Sequence, residues 1–506
     1  MGLPWSEIEA LAERGESTWL EEQFSRPLGS HDAVVADLLQ RQQNGEFAAL
    51  EQEIGEVEFV FRRLAWWQQA INAPDPLRQR VALALSEILV VSDQVDDLAV
   101  YPYALSNYYD TLLQHAFGNF RDLLLAVTLH PSMGVYLSHV NNAKADPQRN
   151  TFPDENYARE VMQLFSIGLF ELNPDGTEKT DARNNPIPTY DNDDIREFAK
   201  VFTGLSFDGP DAYFGSGGPG YRQPMRMFEN YHDNTAKRLL NGVTLPAGQA
   251  GMDDINAAID NLFNHPNVGP FIGRQLIQRL VTSNPSPQYI GRVTAAFNGD
   301  DGGARGDMKA VLRAILQDPE ALAEPGTDPQ FGKLREPLLR AIALLRQFNV
   351  SSPDGFYANT GYTVEYLLNQ HPLSSPSVFN FFLPAHSPVG EIADAGLVAP
   401  EFQITNSTTV VAVSNLADLV LLGEVVNDLD EAPFRAASLD LGEYIDLADD
   451  AEQLVDRLDL VMTYGTLQAG TRSVIVDILR EIEDPDFRVK AAIYLVFVSA
   501  DYAVQL

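Results

Sequence analysis

The chain of 506 residues contains no cysteine. Disulfide bonds, thiolate zinc sites, iron–sulfur clusters and cysteine nucleophiles are therefore excluded. Any metal must be bound by carboxylates, amides, carbonyls or the eight histidines. Such ligands favour a hard divalent ion, Ca²⁺ or Mg²⁺, or a site built from histidine and carboxylate. Whether a cofactor is bound at all stays open at this point.

Long apolar runs and basic residues are also scarce. No stretch approaches the roughly 18 apolar residues that cross a bilayer, so no transmembrane segment is predicted, and the first residues do not have the pattern of a signal peptide. The 35 basic side chains stand against 71 acidic ones, which gives a net charge of −36. Such a chain repels phosphate backbones, which argues against nucleic-acid binding. The Gly- and Lys-containing phosphate loop is missing too, so no nucleotide cofactor is expected.

Helical periodicity dominates the residues that are present. Residues 77–91 are nearly all apolar and follow Pro76, which predicts a helix inside the protein. The best alternating pattern, at residues 408–413, is short and indicates a strand only ambiguously. We therefore expect a predominantly all-α fold, a large multi-helical globular body with long irregular loops and little or no sheet.

Domain boundaries are weakly marked, because no low-complexity linker divides the chain. Residues 1–330 are interpreted as the main helical body, which carries the helix of Glu155, Arg159 and Glu160 and a glycine-rich loop at 208–224. Residues 331–506 are interpreted as a C-terminal helical part that packs on this body and is not independent of it.

The densest group of polar residues lies at 154–168. Glu155 and Arg159 are four residues apart, as are Asn156 and Glu160, so these side chains occupy adjacent rows of one helix. If the patch is buried, Arg159 would hold a carboxylate in place for acid–base or metal chemistry. The same spacing is typical of a solvated salt-bridge network, and both interpretations stay open.

A second candidate segment, residues 230–237, follows the glycine-rich loop directly. His232 would act as a base or metal ligand, with Asp233 beside it, under a loop that closes over a ligand. The alternative is that Asp233 only caps a helix. Together the two segments supply the catalytic candidates Glu155, Arg159, Glu160, His232 and Asp233, and the substrate-binding candidates Asn156, Tyr157, Tyr213, Tyr221 and Lys237.

The aromatic run at 379–382 has two interpretations as well. It is a stacking platform for a sugar or, as is more common for such clusters, part of the core.

Six segments, in order along almost the whole chain, resemble a large bacterial family known as domain of unknown function 1800. They are residues 77–88, 154–168, 331–337, 375–384, 396–406 and 492–505. His232, Asp233 and Lys237 fall where the family tends to carry a His-Asp-x-x-x-Lys segment. Phe165 stands where many members have histidine, which weakens a metal role for that helix.

The resemblance implies an exported bacterial protein, often encoded beside a sulfatase-like partner family. We therefore expect a secreted, periplasmic or cell-surface protein whose signal peptide has been removed. One hypothesis is a hydrolase or other enzyme that acts on an extracellular polymer such as a polysaccharide. The alternative is a non-catalytic cell-surface binding or scaffold protein that partners the sulfatase-like protein.

Overall fold

Helices account for most of the backbone in the computed structural model, which describes residues 2–216, 220–353, 355–357, 367–422 and 437–506. Within these ranges strands are short and few, so the predicted all-α class is confirmed.

The first group of helices precedes the short strands. It comprises α1 (Trp5–Arg14), α2 (Glu16–Ser25), α3 (His31–Gln43), α4 (Ala48–Ile54), α5 (Glu58–Asn72), α6 (Pro76–Ser86), α7 (Asp96–Ala99), α8 (Pro102–His115), α9 (Phe120–Leu129), α10 (Pro131–Tyr136), α11 (Asn156–Gln163) and α12 (Asn192–Val201).

The second group follows. It comprises α13 (Gly251–Phe263), α14 (Val268–Leu280), α15 (Pro287–Asn298), α16 (Met308–Leu316), α17 (Pro337–Gln347), α18 (Glu391–Asp394), α19 (Ser407–Leu422), α20 (Gly442–Ile445), α21 (Ala451–Leu458), α22 (Ala469–Arg480), α23 (Pro485–Phe497) and α24 (Ala500–Ala503). Single 3-10 turns lie at Glu229–Tyr231, Leu240–Gly242 and Pro400–Gln403, and a π-helical turn at Asp459–Thr463.

The sheet content of the described ranges consists of three antiparallel pairs of two-residue strands. The pairs are β1 (Leu205–Ser206) with β2 (Arg226–Met227), β3 (Lys237–Arg238) with β4 (Thr244–Leu245), and β5 (Lys333–Leu334) with β6 (Val504–Gln505). In the last pair Leu334 lies opposite Val504, which joins two distant parts of the chain.

The ambiguous prediction of a strand at 408–413 is wrong, because these residues lie inside helix α19. The side chain of Asn406 accepts hydrogen bonds from the backbone N–H groups of Thr408 (2.9 Å) and Thr409 (3.2 Å), as a helix N-cap does. The helix buries residues such as Val413 and Leu416 and packs on α23. Tertiary packing therefore overrides the β-branched composition of this segment.

The apolar core runs through both proposed parts of the chain. Buried side chains form one large contiguous cluster that extends from Leu20 to Tyr502, with a smaller cluster around Phe61. Contacts also cross residue 330, since Arg346 donates to the carbonyl of Ala70 (3.1 Å). The boundary at 330 stays a prediction.

Helices α6 and α14 lie against each other inside this core and position the site described below. Helix α6 begins with Pro76, whose fixed φ and missing N–H suit the first helical position. Glu87 follows its last turn. Helix α14 is buried over most of its length, and its end is held by Lys333, whose Nζ donates to the carbonyl of Arg279 (2.8 Å).

Candidate functional site

The polar patch on α11 lies at the surface. Asp154 accepts from the backbone N–H of Asn156 (2.8 Å) and so starts the helix. Arg159 Nη2 lies 3.4 Å from Glu155 Oε2, and both side chains are about two-fifths exposed, at 40% and 41%. Arg196 of α12 approaches the other oxygen of Glu155 at 3.9 Å. These contacts form a solvated ion-pair network, in agreement with the second interpretation of the spacing.

Glu160 differs from its neighbours on α11 because it is half-buried. Its Oε2 has no hydrogen-bond partner among the described residues. Burial raises the pKa of Glu160, and the positive charge of Arg159 opposes this effect. The carboxyl group lies near the hydroxyl groups of Tyr136 and Tyr190, whose pKa values it helps to raise.

The candidate binding aromatics are divided between core and surface. Tyr157 is buried, stacks on His139 with ring centroids 4.0 Å apart, and places its hydroxyl 2.6 Å from Thr128 Oγ1. Tyr221 is also buried and donates to the carbonyl of Asp97 (3.2 Å). Burial argues against a direct ligand contact for either tyrosine. Tyr213, 66% exposed, is accessible to solvent, and so is Asn156.

The glycine-rich loop 208–224 is described except for residues 217–219, so its closure over a ligand stays a prediction. In the described part Phe214 stacks on Tyr231 with ring centroids 3.8 Å apart. The backbone N–H of Gly215 donates to Asn141 Oδ1 (3.1 Å).

His232, Lys237 and Asp254 form an enclosed ionic group, which we name the His232 cluster. His232 Nε2 and Lys237 Nζ contact the same oxygen of Asp254, at 3.0 and 2.6 Å. His232 Nδ1 lies 2.9 Å from the carbonyl of Thr203, and Lys237 Nζ also donates to that of Thr235 (3.1 Å). All three side chains of the cluster are about 1% exposed. A ligand therefore has no access to His232 or Lys237 in this arrangement.

Local backbone geometry explains the burial of the His232 cluster. Gly204 has a φ of +88°, and a Cβ there would lie 3.0 Å from His232 Cβ, so glycine is needed for the close approach. Asp233 accepts from the N–H (2.9 Å) and hydroxyl (2.6 Å) of Thr235, which closes a turn rather than a helix. Asp254, in the first turn of α13, was not among the sequence candidates.

A cleft of about 440 Å³ opens between α11, α14 and the segment 378–385. Its volume is in the range of small-molecule sites. The walls are mostly apolar. The apolar lining residues are Ile88, Leu164, Leu169, Phe170, Leu172, Phe271, Val378, Phe379, Leu383, Pro384 and Ala385. Glu155, Arg159, Glu160 and His232 do not line it.

Two contacts shape the cleft. After α11 the chain turns at Gly168, which has a φ of +73° and lies against Phe271, so that a Cβ there would be 2.7 Å from the ring. The turn brings Leu169 and Phe170 to the mouth of the cleft. On the other side, Gln278 Nε2 donates to the carbonyl of Pro384 (3.2 Å), which holds segment 378–385 against α14.

The floor of the cleft is polar and buried. Its side chains are Glu87, Gln275, Gln278 and Arg279, and each is at most 8% exposed. Arg279 donates to the backbone carbonyl of Glu87 (3.0 Å), and its Nε lies 3.4 Å from Glu87 Oε2 without the geometry of a hydrogen bond.

Several polar atoms of this floor lack a hydrogen-bond partner within the described ranges. They are both carboxyl oxygens of Glu87, Gln275 Nε2, Gln278 Oε1 and Arg279 Nε. Buried polar groups are rarely left in this state. Because the four residues line a cleft, a bound ligand is the natural partner for these atoms.

Further charged groups lie behind the floor, and with Glu87 and Arg279 we name them the Glu87 cluster. Gln370 donates to Glu336 Oε2 (2.6 Å), and Arg80 lies 4.0 Å from the other oxygen of Glu336. Lys333 Nζ lies 2.9 Å from Glu401 Oε1, with both side chains fully buried. The Glu87 cluster thus comprises Arg80, Glu87, Arg279, Lys333, Glu336 and Glu401.

Glu87 and Glu336 have opposite protonation preferences. Burial raises the pKa of Glu87 well above its ordinary value, and the charge of the adjacent Glu336 raises it further. Burial acts on Glu336 in the same sense, but the positive charges of Lys333 and Arg80 and the hydrogen bond from Gln370 prevail and lower its pKa. Of the two carboxyl groups, Glu87 is therefore the one that is more readily protonated.

A small void of about 10 Å³ adjoins Glu87, and its lining includes Ser375 and Asn380. This is about the volume of one water molecule. Asn380 Nδ2 is buried and lacks a hydrogen-bond partner in the described part of the chain. The aromatic run 379–382 is thus split, with Phe379 on the cleft, Asn380 on the void and Phe382 in the core.

Three of the six segments that carry the family resemblance line this cleft, and the other three lie behind it. The lining residues from the first three include Glu87, Gln163 and Phe379, and two further segments contribute Glu336 and Glu401 to the Glu87 cluster. The sixth ends in Gln505, whose side chain donates to the carbonyl of Leu280 at the end of α14 (3.1 Å). Sequence reasoning missed this site, although charged side chains within apolar segments, such as Glu87 after α6, are a signal of a buried polar group.

Neither a metal-binding group nor a membrane-spanning helix occurs in the described ranges. No group of three or more histidine and acidic side chains there is arranged to hold a metal ion. No helix of these ranges has both the length and the apolar character needed to span a bilayer.

A comparison with protein families bears out the resemblance that the six segments indicated. The model described as "Protein of unknown function (DUF1800)" matches residues 1–504, so the chain belongs to this family. Neither curated proteins nor solved structures yield a match.

Proposed function

We propose that this protein is an acid–base enzyme whose substrate lies in the 440 Å³ cleft, with Glu87 as the proton donor. One observation carries the proposal: a buried carboxyl group, whose pKa is raised well above its ordinary value, lies on the floor of an accessible cleft. A carboxyl group kept neutral by its surroundings is the usual form of a general acid at neutral pH.

Hydrolysis is the reaction that fits these residues. Glu87 gives its proton to the leaving oxygen or nitrogen of the substrate, and a water molecule adds to the other side of the broken bond. The proton released by that water returns to the Glu87 carboxylate, so the net change is the addition of one water. Arg279, 3.4 Å from the carboxyl oxygen, stabilises Glu87 while it is negatively charged.

The apolar walls of the cleft restrict the chemical class of the substrate. They favour a ligand or polymer segment with apolar groups over a bare polysaccharide, whose hydroxyl groups would lose hydrogen bonds to water without replacement. An extracellular polymer, export from the cell and a sulfatase-like partner are predictions of the family resemblance. No described contact bears on them.

A non-catalytic binding protein is the second candidate, and burial favours it. Glu87 is 4% exposed and Glu336 fully buried, which limits contact with a reacting bond. The apolar rim residues Leu169, Phe170 and Leu383 are substantially exposed. Such a rim is typical of a surface that binds a partner or an apolar ligand.

Hydrolysis of chromogenic substrates separates the two candidates. The test measures the hydrolysis of three substrate classes by the protein and by its Glu87→Gln variant. The classes are p-nitrophenyl acyl esters, p-nitrophenyl glycosides and p-nitroanilides. We expect turnover of at least one class and a loss of about 100-fold or more in the variant, the usual contribution of a general acid. Its thermal midpoint should stay close to that of the parent, because glutamine resembles the protonated acid.

The control is Glu155→Gln on the exposed patch of α11, which should keep full activity. If Glu155→Gln abolishes turnover and Glu87→Gln does not, the catalytic group lies on α11. If the parent turns over no class, the binding protein is the better description of the cleft.

A further inference from the structure

The polar floor of the cleft offers hydrogen bonds of both kinds. Gln275 Nε2 and Arg279 Nε are buried donors that lack a hydrogen-bond partner among the described residues. The acceptors in the same state are Gln278 Oε1 and the two carboxyl oxygens of Glu87. A proton on Glu87 would convert one of these oxygens into a donor and leave both kinds present. The floor therefore fits a ligand that donates and accepts hydrogen bonds, whichever protonation state Glu87 has.

The charges around the cleft balance, which disfavours a charged ligand. The Glu87 cluster contains three cations and three carboxyl groups, namely Arg80, Arg279, Lys333, Glu87, Glu336 and Glu401. At the mouth, the exposed Arg274 is offset by the equally exposed Glu178. A charged ligand group would lose its hydration here without gaining an unpaired counter-ion. A neutral ligand group loses less, because the floor replaces its hydrogen bonds to water.

The donors and acceptors of the floor lie on separate atoms. Gln278 and Arg279 follow Gln275 by three and four residues on α14, so the three side chains share one face of that helix. Arg279 Nε and Glu87 Oε2 lie 3.4 Å apart without the geometry of a hydrogen bond, which places an unused donor beside an unused acceptor. A hydroxyl group donates and accepts through one oxygen, whereas an amide does so through two atoms, its nitrogen and its oxygen. The floor therefore matches amide groups.

The apolar walls require a ligand whose amide groups stand between apolar groups. Phe271 and Phe379 line these walls, and the rim is apolar as well. We infer that the cleft binds an uncharged peptide segment with apolar side chains, which lie against the walls while the amide groups of the segment bind to the polar floor. The inference rests on the proposed function, since it names the substrate class of the same cleft.

Displacement of a neutral fluorescent probe, N-phenyl-1-naphthylamine, tests the inference without requiring turnover. Three competitors share one apolar body: neutral N-acetyl-leucyl-phenylalaninamide, its free acid N-acetyl-leucyl-phenylalanine, and its free amine leucyl-phenylalaninamide. At about pH 6 the acid and the amine are both charged. We expect the neutral peptide to displace the probe at concentrations at least tenfold below those of either charged analogue.

Two further competitors separate a peptide from other neutral ligands. Octanamide carries one amide group on an aliphatic chain, and it should displace the probe more weakly than the neutral peptide, because it uses fewer of the floor atoms. A maltooligosaccharide should not displace the probe, because the apolar walls offer its hydroxyl groups no hydrogen bonds.

A pair of glutamine variants assigns the binding to the floor. Gln275→Leu removes one donor at similar volume and should weaken the neutral peptide about fivefold or more, the usual contribution of one hydrogen bond. Probe affinity should stay unchanged, and so should stability, because Gln275 Nε2 has no partner to lose. Gln23→Leu is the matched control for binding, since Gln23 is a buried glutamine with an unpartnered Nε2 outside the cleft.

The exposed Ala385 gives a second variant that does not endanger folding. Ala385→Trp should fill the mouth of the cleft and abolish binding of probe and neutral peptide alike, whereas Ala323→Trp, at an exposed position outside the lining, should not. Peptide binding that survives Ala385→Trp would place the ligand elsewhere and overturn the inference.

The outcomes separate the ligand class from the enzymatic proposal. The peptide ligand is overturned if a charged analogue displaces the probe as well as the neutral peptide does, or if octanamide or the saccharide displaces it better. It is also overturned if Gln275→Leu leaves the peptide affinity unchanged, or if neither displacement nor calorimetry detects binding of the neutral peptide. Acid–base catalysis still stands after any of these results if a chromogenic substrate is turned over. Peptide binding without turnover of any substrate class overturns the enzyme and leaves the peptide ligand.

Discussion

The His232 cluster and the Glu87 cluster contain the same kinds of buried charge but differ in their surroundings. Around His232, two partners converge on one oxygen of Asp254, and the cluster is closed to solvent. Around Glu87, several polar atoms face a cleft without a protein partner. A closed cluster stabilises the fold, whereas an open one is available to a ligand. Burial of charge, or a single unpartnered atom such as Asp254 Oδ1, therefore does not identify a site; several unpartnered atoms that line one cleft do.

Lys237→Met should produce the largest effect, because it removes the lysine partner of the buried Asp254 and leaves only the contact with His232. We expect the free energy of unfolding to fall by about 3–5 kcal/mol, measured by urea denaturation. Lys144→Met, at an exposed lysine, is the control and should change it little. A loss below about 1 kcal/mol for Lys237→Met would contradict the closed description of the His232 cluster.

The buried histidines should make the fold sensitive to acid. Burial lowers the pKa of His130 to about 3, and that of His139 to about 4. In the unfolded chain the histidine pKa is about 6.5. Between these values the unfolded state binds a proton that the folded state does not, so stability falls as the pH is lowered, by up to about 1.4 kcal/mol per pH unit for each histidine.

His130→Asn tests this dependence. Asparagine can replace His130 as the side chain that accepts from the backbone N–H of Ser132, but it does not titrate. Urea denaturation at pH 6.5 and 4.5 should show a smaller loss of stability in the variant. An identical loss in parent and variant would mean that His130 is not neutral and buried in the folded state.

Glu87→Gln should have a much smaller effect, within about 1 kcal/mol at pH 5, because glutamine resembles a protonated carboxyl group. The raised pKa of Glu87 means that, above about pH 4.3, the folded state holds a proton that the unfolded chain has released. The stability of the parent should therefore fall as the pH rises above this value, and the variant should gain relative to the parent. A variant that instead loses stability relative to the parent as the pH rises would show that the pKa of Glu87 is not raised in the fold.

Glu155→Ala should have the smallest effect, because both partners of its ion pair are about two-fifths exposed. Exposed ion pairs contribute about 0.2–1 kcal/mol, and salt screens them further. We expect a change within about 0.5 kcal/mol in urea denaturation. A loss comparable to that of Lys237→Met would mean that the α11 patch is a closed cluster as well.

The sequence allowed the fold class to be predicted better than the site. Helical periodicity is local, so segments such as 77–91 predict their own structure, and the misassigned residues 408–413 are a short β-branched stretch whose helix depends on packing against α23. Glu155 and Arg159 stood out because their spacing is also local. The partners of Glu87 cannot be paired in this way, since Arg279 is 192 residues away in the chain. Asp254 was missed for the same reason.

The pairing of β5 with β6 has a consequence for the folding of the chain during its synthesis on the ribosome. Gln505 contacts the end of α14, although the two are 225 residues apart in the chain, and Val504 pairs with the strand that carries Lys333. The helices of the N-terminal half are able to fold while synthesis continues. The contacts of Val504 and Gln505 with β5 and with the end of α14, however, form only after these residues have been synthesised, so this part of the structure is completed late.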